Sequence, residues 1–422
     1  MAIAVVFCYV WRIQDLFPAL IPLKFVPLST LAALGLFVVS PPALAALKRV
    51  KQPIMKWALV MFVIIVLSVP ESIWPGNSFD FIIQDHIKTI LMMLVVLGSI
   101  RSYIDVERYA AAQLLGGVVW AFFVLFKFQL GSDGRLSNLE YYDANDLGML
   151  MVGTVPLVLY FSRRSSPIAL RVLSLVAGGL YAMAIVKTGS RGAFLGIIAV
   201  GVVSLLTFKA MPVKSRVSVV VAGVLAFSLI ATDQYWTMMR TLLNPQDDYN
   251  WTGKSESGRM EIWKRGIGYM VDRPFTGVGA QSFPTAEGTL SPLAVRQNLG
   301  RGVRWAAAHN AFVQIGAELG VPGLLVFLTM LAAAFRTTNA LARRRPDDDP
   351  GRRSEVAMWQ SLRICMVGYV VTAFFLSQGY AAYLYAMLAL IAGFAAVARV
   401  PEGVRVPRWS MWWRPTRQRI AR

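Results

Sequence analysis

The chain has 422 residues, of which 56% are hydrophobic and 15% charged, and its formal net charge is +19. With a mean hydropathy of +0.55, this excludes a soluble globular fold and points to a polytopic α-helical membrane protein, because apolar runs of bilayer-spanning length recur along it. The positive charge is that of Lys- and Arg-rich loops on the cytoplasmic side, and no soluble domain is present to bind nucleic acid.

In chain order, the short apolar start at Met1–Val10 meets Trp11, Arg12 and Asp15 without a small-residue cleavage site. It reads as a short first span and not as a cleaved signal peptide. Spans are predicted at 1–22, 26–47, 54–73, 84–100, 109–128, 145–162, 168–187, 192–209, 217–233, 310–335, 361–379 and 380–399. That gives about twelve helices at about 20 residues per crossing. The last two join so tightly around Gln378-Gly379 that a re-entrant pair is the alternative. Cys8 and Cys365 lie far apart in apolar segments, so neither a disulfide framework nor a zinc site is expected.

The connections set the orientation. Lys48, Arg49, Lys51 and Lys56 follow the second span, Arg163, Arg164 and Arg171 the sixth, and Lys209, Lys214 and Arg216 the eighth. Arg336, Arg343, Arg344, Arg345, Arg352 and Arg353 follow the tenth, and Arg405, Arg408, Arg414, Arg417, Arg419 and Arg422 stud the tail. All fall on one side if the spans alternate, and the positive-inside rule makes that side cytoplasmic, with both termini. The chain then divides into a membrane bundle at 1–232, an outer loop at 233–308, further membrane helices at 309–399 and a basic tail at 400–422. The tail's Trp409, Trp412 and Trp413 suit an interfacial anchor. Pro346-Asp347-Asp348-Asp349-Pro350 reads as a solvated loop and not a metal site. The absence of an evident internal repeat, with spans nearly free of charge, disfavours a transporter.

The outer loop is basic, which long loops tolerate on that side. It carries Arg240, Lys254, Arg259, Lys264, Arg265, Arg273, Arg296, Arg301 and Arg304. A helix is predicted from Arg259 to Val271, capped by Ser257 or Glu256, with apolar positions 260, 263, 267, 270 and 271 at helical spacing. It would lie on the outer membrane surface over the mouth of the bundle. Asp272-Arg273-Pro274-Phe275-Thr276-Gly277-Val278-Gly279 ends it with Pro and Gly.

Arg191 stands in the turn Lys187-Thr188-Gly189-Ser190-Arg191-Gly192 between two spans. It is either a snorkelling interfacial arginine or a guanidinium that forks onto a phosphate. Arg259 can reach the same anion. His309, followed by Asn310, ends the loop at the edge of a span, where an imidazole of ordinary pKa about 6.5 accepts a proton near neutrality; the alternative is a satisfied interfacial histidine. The other histidine, His86, lies near Asp85 and Lys88 and is read as structural.

These segments in this order resemble the O-antigen ligase/polymerase superfamily. The resemblance is carried by Asp143-Ala144-Asn145-Asp146-Leu147-Gly148, Thr188-Gly189-Ser190-Arg191-Gly192 and Ser257-Gly258-Arg259 with Trp263. It continues through Pro274–Gly279 and His309-Asn310 to Gly316, Glu318-Leu319-Gly320 and Pro322-Gly323. It covers roughly residues 130–335. It implies an all-α, GT-C-like bundle with a periplasmic loop, in a bacterial inner membrane. It also implies an inverting glycosyltransferase, independent of metal or other cofactor, that moves a glycan from undecaprenyl diphosphate to a lipid, glycan or protein acceptor. On the same resemblance Arg191 and Arg259 hold the donor diphosphate and His309 is the base, with Arg265 the main rival for the second arginine. Ligase and polymerase need the same donor site, so both readings stay open.

Overall fold

The structure, a computed structural model, describes residues 1–131, 136, 142–163, 165–244, 246, 248, 250–253, 255–296, 305–342 and 350–398. Lys254, Arg301, Arg304, Arg343–Arg345, the aspartate run and the basic tail therefore lie outside the described residues. Among the described residues the chain is helical, with no β-strand.

Five helices precede the first long span: α1 (Ala2–Tyr9), α2 (Ile13–Leu16), α3 (Phe25–Val38), α4 (Pro41–Ala46) and α5 (Pro53–Leu67). Next, α6 (Pro75–Phe81) runs through a π-helical turn at Ile82–His86 into α7 (Ile87–Ser99). The bundle continues with α8 (Tyr103–Phe126), α9 (Ala144–Phe161), α10 (Ile168–Thr188), α11 (Arg191–Thr207) and α12 (Val213–Ile230). The loop holds α13 (Asp233–Arg240), α14 (Arg259–Asp272), α15 (Phe283–Thr289) and α16 (Pro292–Arg296). The membrane helices resume with α17 (Ala311–Ala342), α18 (Pro350–Ala373) and α19 (Ala382–Val397).

Seven helices are long and apolar enough to cross a bilayer, or eight if the bent pair Phe25–Val38 and Pro41–Lys51 forms one span. The apolar helices α5, α11 and α19 are shorter. The difference from twelve is clearest at the start of the chain. α1 has 8 residues, about 12 Å of helix against a hydrocarbon core of about 30 Å. Arg12 and Lys24 take left-handed backbone, at φ 45° and 46°, and Arg12 pairs with Asp15 at 2.5 Å. Polar residues and Pro18 thus replace the rest of the predicted span 1–22. The 87° bend after Val38 falls at Pro41-Pro42, where the backbone donors that would continue the ladder are missing.

α9 is largely buried and packs on α18, α10 and α11. α17 packs on α5, α14 and α18, and α19 packs on α7. α12, by contrast, contributes no buried residue.

α17 is broken at Gly320 (φ 68°, ψ −168°). A break in a helix frees carbonyls and N–H groups that must find other partners when buried. Here the Pro274–Gly279 segment supplies them: Val278 N–H donates to Ala317 O at 2.8 Å, Gly279 N–H to Glu318 O at 2.9 Å, and Val321 N–H to Pro274 O at 2.8 Å. The approach is close enough that a Cβ on Gly320 would lie 2.5 Å from Pro274 O, and one on Gly277 2.4 Å from the Glu318 carbonyl carbon. The Pro/Gly segment and the Glu318–Gly323 segment are therefore two halves of one joint.

The predicted loop helix forms as α14, with two corrections. Its N-cap is Gly258 without a side-chain cap, because Ser257 Oγ bonds to Ser255 Oγ at 3.0 Å instead. Its buried face is Ile262, Gly266 and Tyr269, since α17 supplies a packing partner on that side. Ile267 and Val271, expected on the apolar face, are 49% and 67% exposed.

Candidate active site

Gly189 ends α10 in left-handed backbone (φ 60°), and Ser190 caps α11 by accepting from Ala193 N–H at 3.2 Å. That two-residue turn puts Arg191 at the first position of α11, beside N–H groups whose partial positive charge favours anions. Lys187 is tied back to the end of α8, donating to Leu125 O at 3.1 Å and Phe128 O at 2.8 Å. The Arg191 guanidinium donates to Thr241 Oγ1 at 2.9 Å and pairs with the Asp248 carboxylate. Burial alone would raise the Asp248 pKa. Bonds from Asn250 N–H at 3.1 Å and Asn250 Nδ2 at 2.7 Å, with the Arg191 charge, outweigh it and hold the carboxyl below its usual value.

Arg259 opens α14 and reaches Phe375 O at 3.4 Å. Phe375 also packs against the turn that carries Arg191, since a Cβ on Gly192 would lie 3.1 Å from its Cβ. Arg265, nearly two helical turns further on, is held by a side-chain carboxylate. It grips Glu287 with two nitrogens, at 2.9 Å from Nε and 2.6 Å from Nη2, and Nη1 donates to Glu256 O at 3.0 Å. Glu287 is 1% exposed and also accepts from Tyr269 Oη at 2.8 Å. Burial works against the Arg265 charge, but the Glu287 carboxylate more than offsets it and raises the guanidinium pKa. The same burial and carboxylate push the Tyr269 phenol up.

His309 is half-buried, in left-handed backbone at φ 48°. Such backbone costs about 1–3 kcal/mol in a non-glycine residue and persists where the surroundings over-determine it. Three contacts do so. His309 N–H donates to Ser377 Oγ at 2.8 Å, Trp263 Nε1 donates to Ala308 O at 2.9 Å, and buried Asn310 caps α17 by accepting from Phe312 and Val313 N–H at 2.8 and 3.0 Å.

The element that joins these residues is the connector between α18 and α19, for which the sequence offered only the choice between a tight turn and a re-entrant pair. Phe374 meets the Trp263 and Phe312 rings at 5.4 and 6.2 Å. Phe375 carries the contacts to Arg259 and Gly192, and Ser377 the contact to His309. Gln378 Nε2 donates to Asp146 Oδ1 at 2.6 Å, and Tyr380 Oη to Glu318 Oε2 at 2.8 Å. Glu318 is 1% exposed and also accepts from Gln281 and Phe283 N–H at 3.0 and 3.1 Å. A buried carboxylate needs such donors, and this one fastens the start of α15 and the connector to the arm of α17 before its break. An acid in an otherwise apolar helix was the available signal for Glu318. Asp248 had none, as one acid among several in the loop. His86 is buried among the rings of Phe62, Phe81, Tyr380 and Tyr385, and neither of its ring nitrogens has a hydrogen-bond partner among the described residues.

These observations define a multi-pass helical membrane protein with a cationic, histidine-bearing site assembled from one loop and two helix connections. Residues 173–328 match the family model described as O-Antigen ligase, so this segment is similar to that family, which suggests glycosyl transfer. The matched segment contains Arg191, Arg259, Arg265, His309 and Glu318, and stops short of the α18–α19 connector. Among curated proteins no match is found.

Proposed function

We propose that the chain is an inverting glycosyltransferase of the GT-C type that moves a glycan from undecaprenyl diphosphate to an acceptor hydroxyl on the periplasmic face of a bacterial inner membrane. His309 takes the proton of the acceptor hydroxyl as its oxygen attacks the anomeric carbon. The sugar–phosphate bond breaks on the opposite side, and the electron pair leaves with the diphosphate. Arg191 and Arg259 meet the charge that gathers there, where fixed donors stabilise a transition state most. Arg265 stays the rival for the second arginine; like Arg191, which pairs with Asp248, its guanidinium faces a buried carboxylate, Glu287. The observation that carries this reading is the connector 374–380, which links the Arg191 turn, Arg259 and His309 through Phe375 and Ser377.

The test is transfer by purified variants in lipid. His309→Ala is expected to lose about two to four orders of magnitude, as for removal of a general base. Arg191→Ala is expected to lose about two to three, as for removal of a charge-stabilising donor. His309→Ala should retain the thermal transition of the unsubstituted protein, as should Arg191→Lys, which keeps a cation opposite Asp248; full activity in His309→Ala or Arg191→Ala overturns the assignment. Supplying one labelled lipid-diphosphate repeat without another acceptor separates the two outcomes of the chemistry. A ladder identifies a polymerase, and no product identifies a ligase.

A further inference from the structure

From Leu147 to Thr232 the sequence has no acidic residue, against eight lysines and arginines. Two of these arginines are placed alike. Arg171 and Arg216 are each the fourth residue of their helix, α10 and α12, and each donates its backbone N–H at 3.0 Å to the proline that precedes that helix, Pro167 or Pro212. A proline offers no side-chain acceptor, so neither helix start carries a side-chain cap. α10 and α12 pack on each other. Their far ends meet in one cluster, where Phe227 and Ile230 of α12 lie with Val186 of α10 and Phe194 of α11. From that cluster, Val186 to Arg171 and Ile230 to Arg216 each span about 21–23 Å of helix. The two arginines therefore stand at the same level, at the end of the bundle opposite Arg191.

Both guanidinium groups are short of partners. Arg216 Nη1 donates to Leu205 O at the end of α11. Its Nε, however, is buried with no hydrogen-bond partner among the described residues, and so is the Nε of Arg171. Neither arginine forms an ion pair there. Buried donors are rarely left so. With no carboxylate in the surrounding sequence, the group that suits them is an anion brought from outside, and a guanidinium forks onto phosphate oxygens. Next to the arginines the surface turns apolar: Val172 and Val176 on α10 and Val217 and Val221 on α12 are 45–55% exposed. A phosphate joined to acyl chains matches both features, whereas a free phosphate matches only the first.

We propose that this level of α10 and α12 binds the phosphodiester of an anionic phospholipid, whose chains lie along the valines of the two helices. α12 leads through α13 to Thr241, which accepts from Arg191, so the lipid steadies the helix that carries an Arg191 partner. The site uses no donor-site residue and stands whether or not the donor reading does. Dioleoyl phosphatidylglycerol is titrated into the full chain in detergent and its bound population read by native mass spectrometry, with dioleoyl phosphatidylcholine and inorganic phosphate as separate arms. Phosphatidylglycerol is expected to bind about tenfold more tightly than phosphatidylcholine. It should weaken about tenfold in Arg171→Gln and in Arg216→Gln, the size of one lost hydrogen bond to a charged group. Lys51→Gln, which removes an exposed charge from another connection, should leave binding unchanged. A second measurement needs no variant: hydrogen exchange at 168–171 and 213–216 should slow with phosphatidylglycerol and not with phosphatidylcholine. Equal binding of the two lipids, an equal loss in Lys51→Gln, or exchange that ignores the lipid overturns the site. Displacement of phosphatidylglycerol by inorganic phosphate overturns the lipid assignment in favour of a free anion.

Discussion

Arg191 and Arg265 each face a buried carboxylate, Asp248 and Glu287, and the Arg191 side chain is the more exposed of the two. Arg265 faces Glu287, which is 1% exposed and has no other cation bound to it among the described residues. Removing one partner of a buried pair strands the other charge, at a cost of about 3–5 kcal/mol. Glu287→Ala is therefore expected to lower the thermal transition markedly, and Arg265→Met combined with Glu287→Leu to lower it less than Glu287→Ala alone. Calorimetry of the three proteins checks this. The Arg191 pair is more open and has a pH signature. The Asp248 carboxyl is depressed in the folded chain, so its contribution is complete above the ordinary carboxylate pKa of about 4 and is lost as pH falls through the depressed value. Hydrogen exchange in 241–253 should stay slow down to the ordinary carboxylate range and quicken below it. In Asp248→Asn it should be fast throughout, and exchange that ignores both changes would remove the latch.

At the scale of elements, α14 and the α17 joint show what short-range sequence can and cannot fix. Arg191, Arg259 and His309 were legible because each sits beside local punctuation: Gly189-Ser190, Gly258 and Asn310. The helix that starts at Arg259 was legible from its spacing, but its buried face was not, because that depends on α17 lying beside it. The connector was not legible as a hub at all. Its bonds reach Arg259 across 116 positions and Asp146 across 232, and no local pattern marks pairings so remote. The joint itself makes a sharp prediction. At Gly320 a side chain would meet left-handed strain of about 1–3 kcal/mol, besides a Cβ 2.5 Å from Pro274 O. Gly320→Ala should unfold earlier on heating and lose transfer together with stability. Gly201→Ala, where a Cβ meets nothing, should do neither.

For the whole molecule, hydropathy identified the class and most membrane helices to within a few residues. Of the about twelve spans expected, seven helices are long and apolar enough, the bent pair at Pro41-Pro42 makes an eighth if it is one span, and α5, α11 and α19 are shorter apolar helices. Orientation rests on the charge of the connections, and it can be checked by labelling. Leu243 is 83% exposed in the loop, while Cys8 and Cys365 are buried. In intact cells, Leu243→Cys is expected to react with a membrane-impermeant maleimide added from outside, whereas Lys48→Cys should react only after lysis. The reverse pattern would invert the protein and remove the periplasmic assignment.

The break at Gly320 also bears on how such a chain can diversify. Because the carbonyls of Ala317 and Glu318 are satisfied only by the Pro274–Gly279 segment, neither half of the joint can drift alone. Residues 274–321 hold both halves, so an exchange between related chains that cuts within this stretch separates backbone groups that bond each other. Arg191 and the connector 374–380 lie outside that stretch. Recombination that moves it thus carries His309 and both halves of the joint together, while Arg191 and the connector come from the receiving chain.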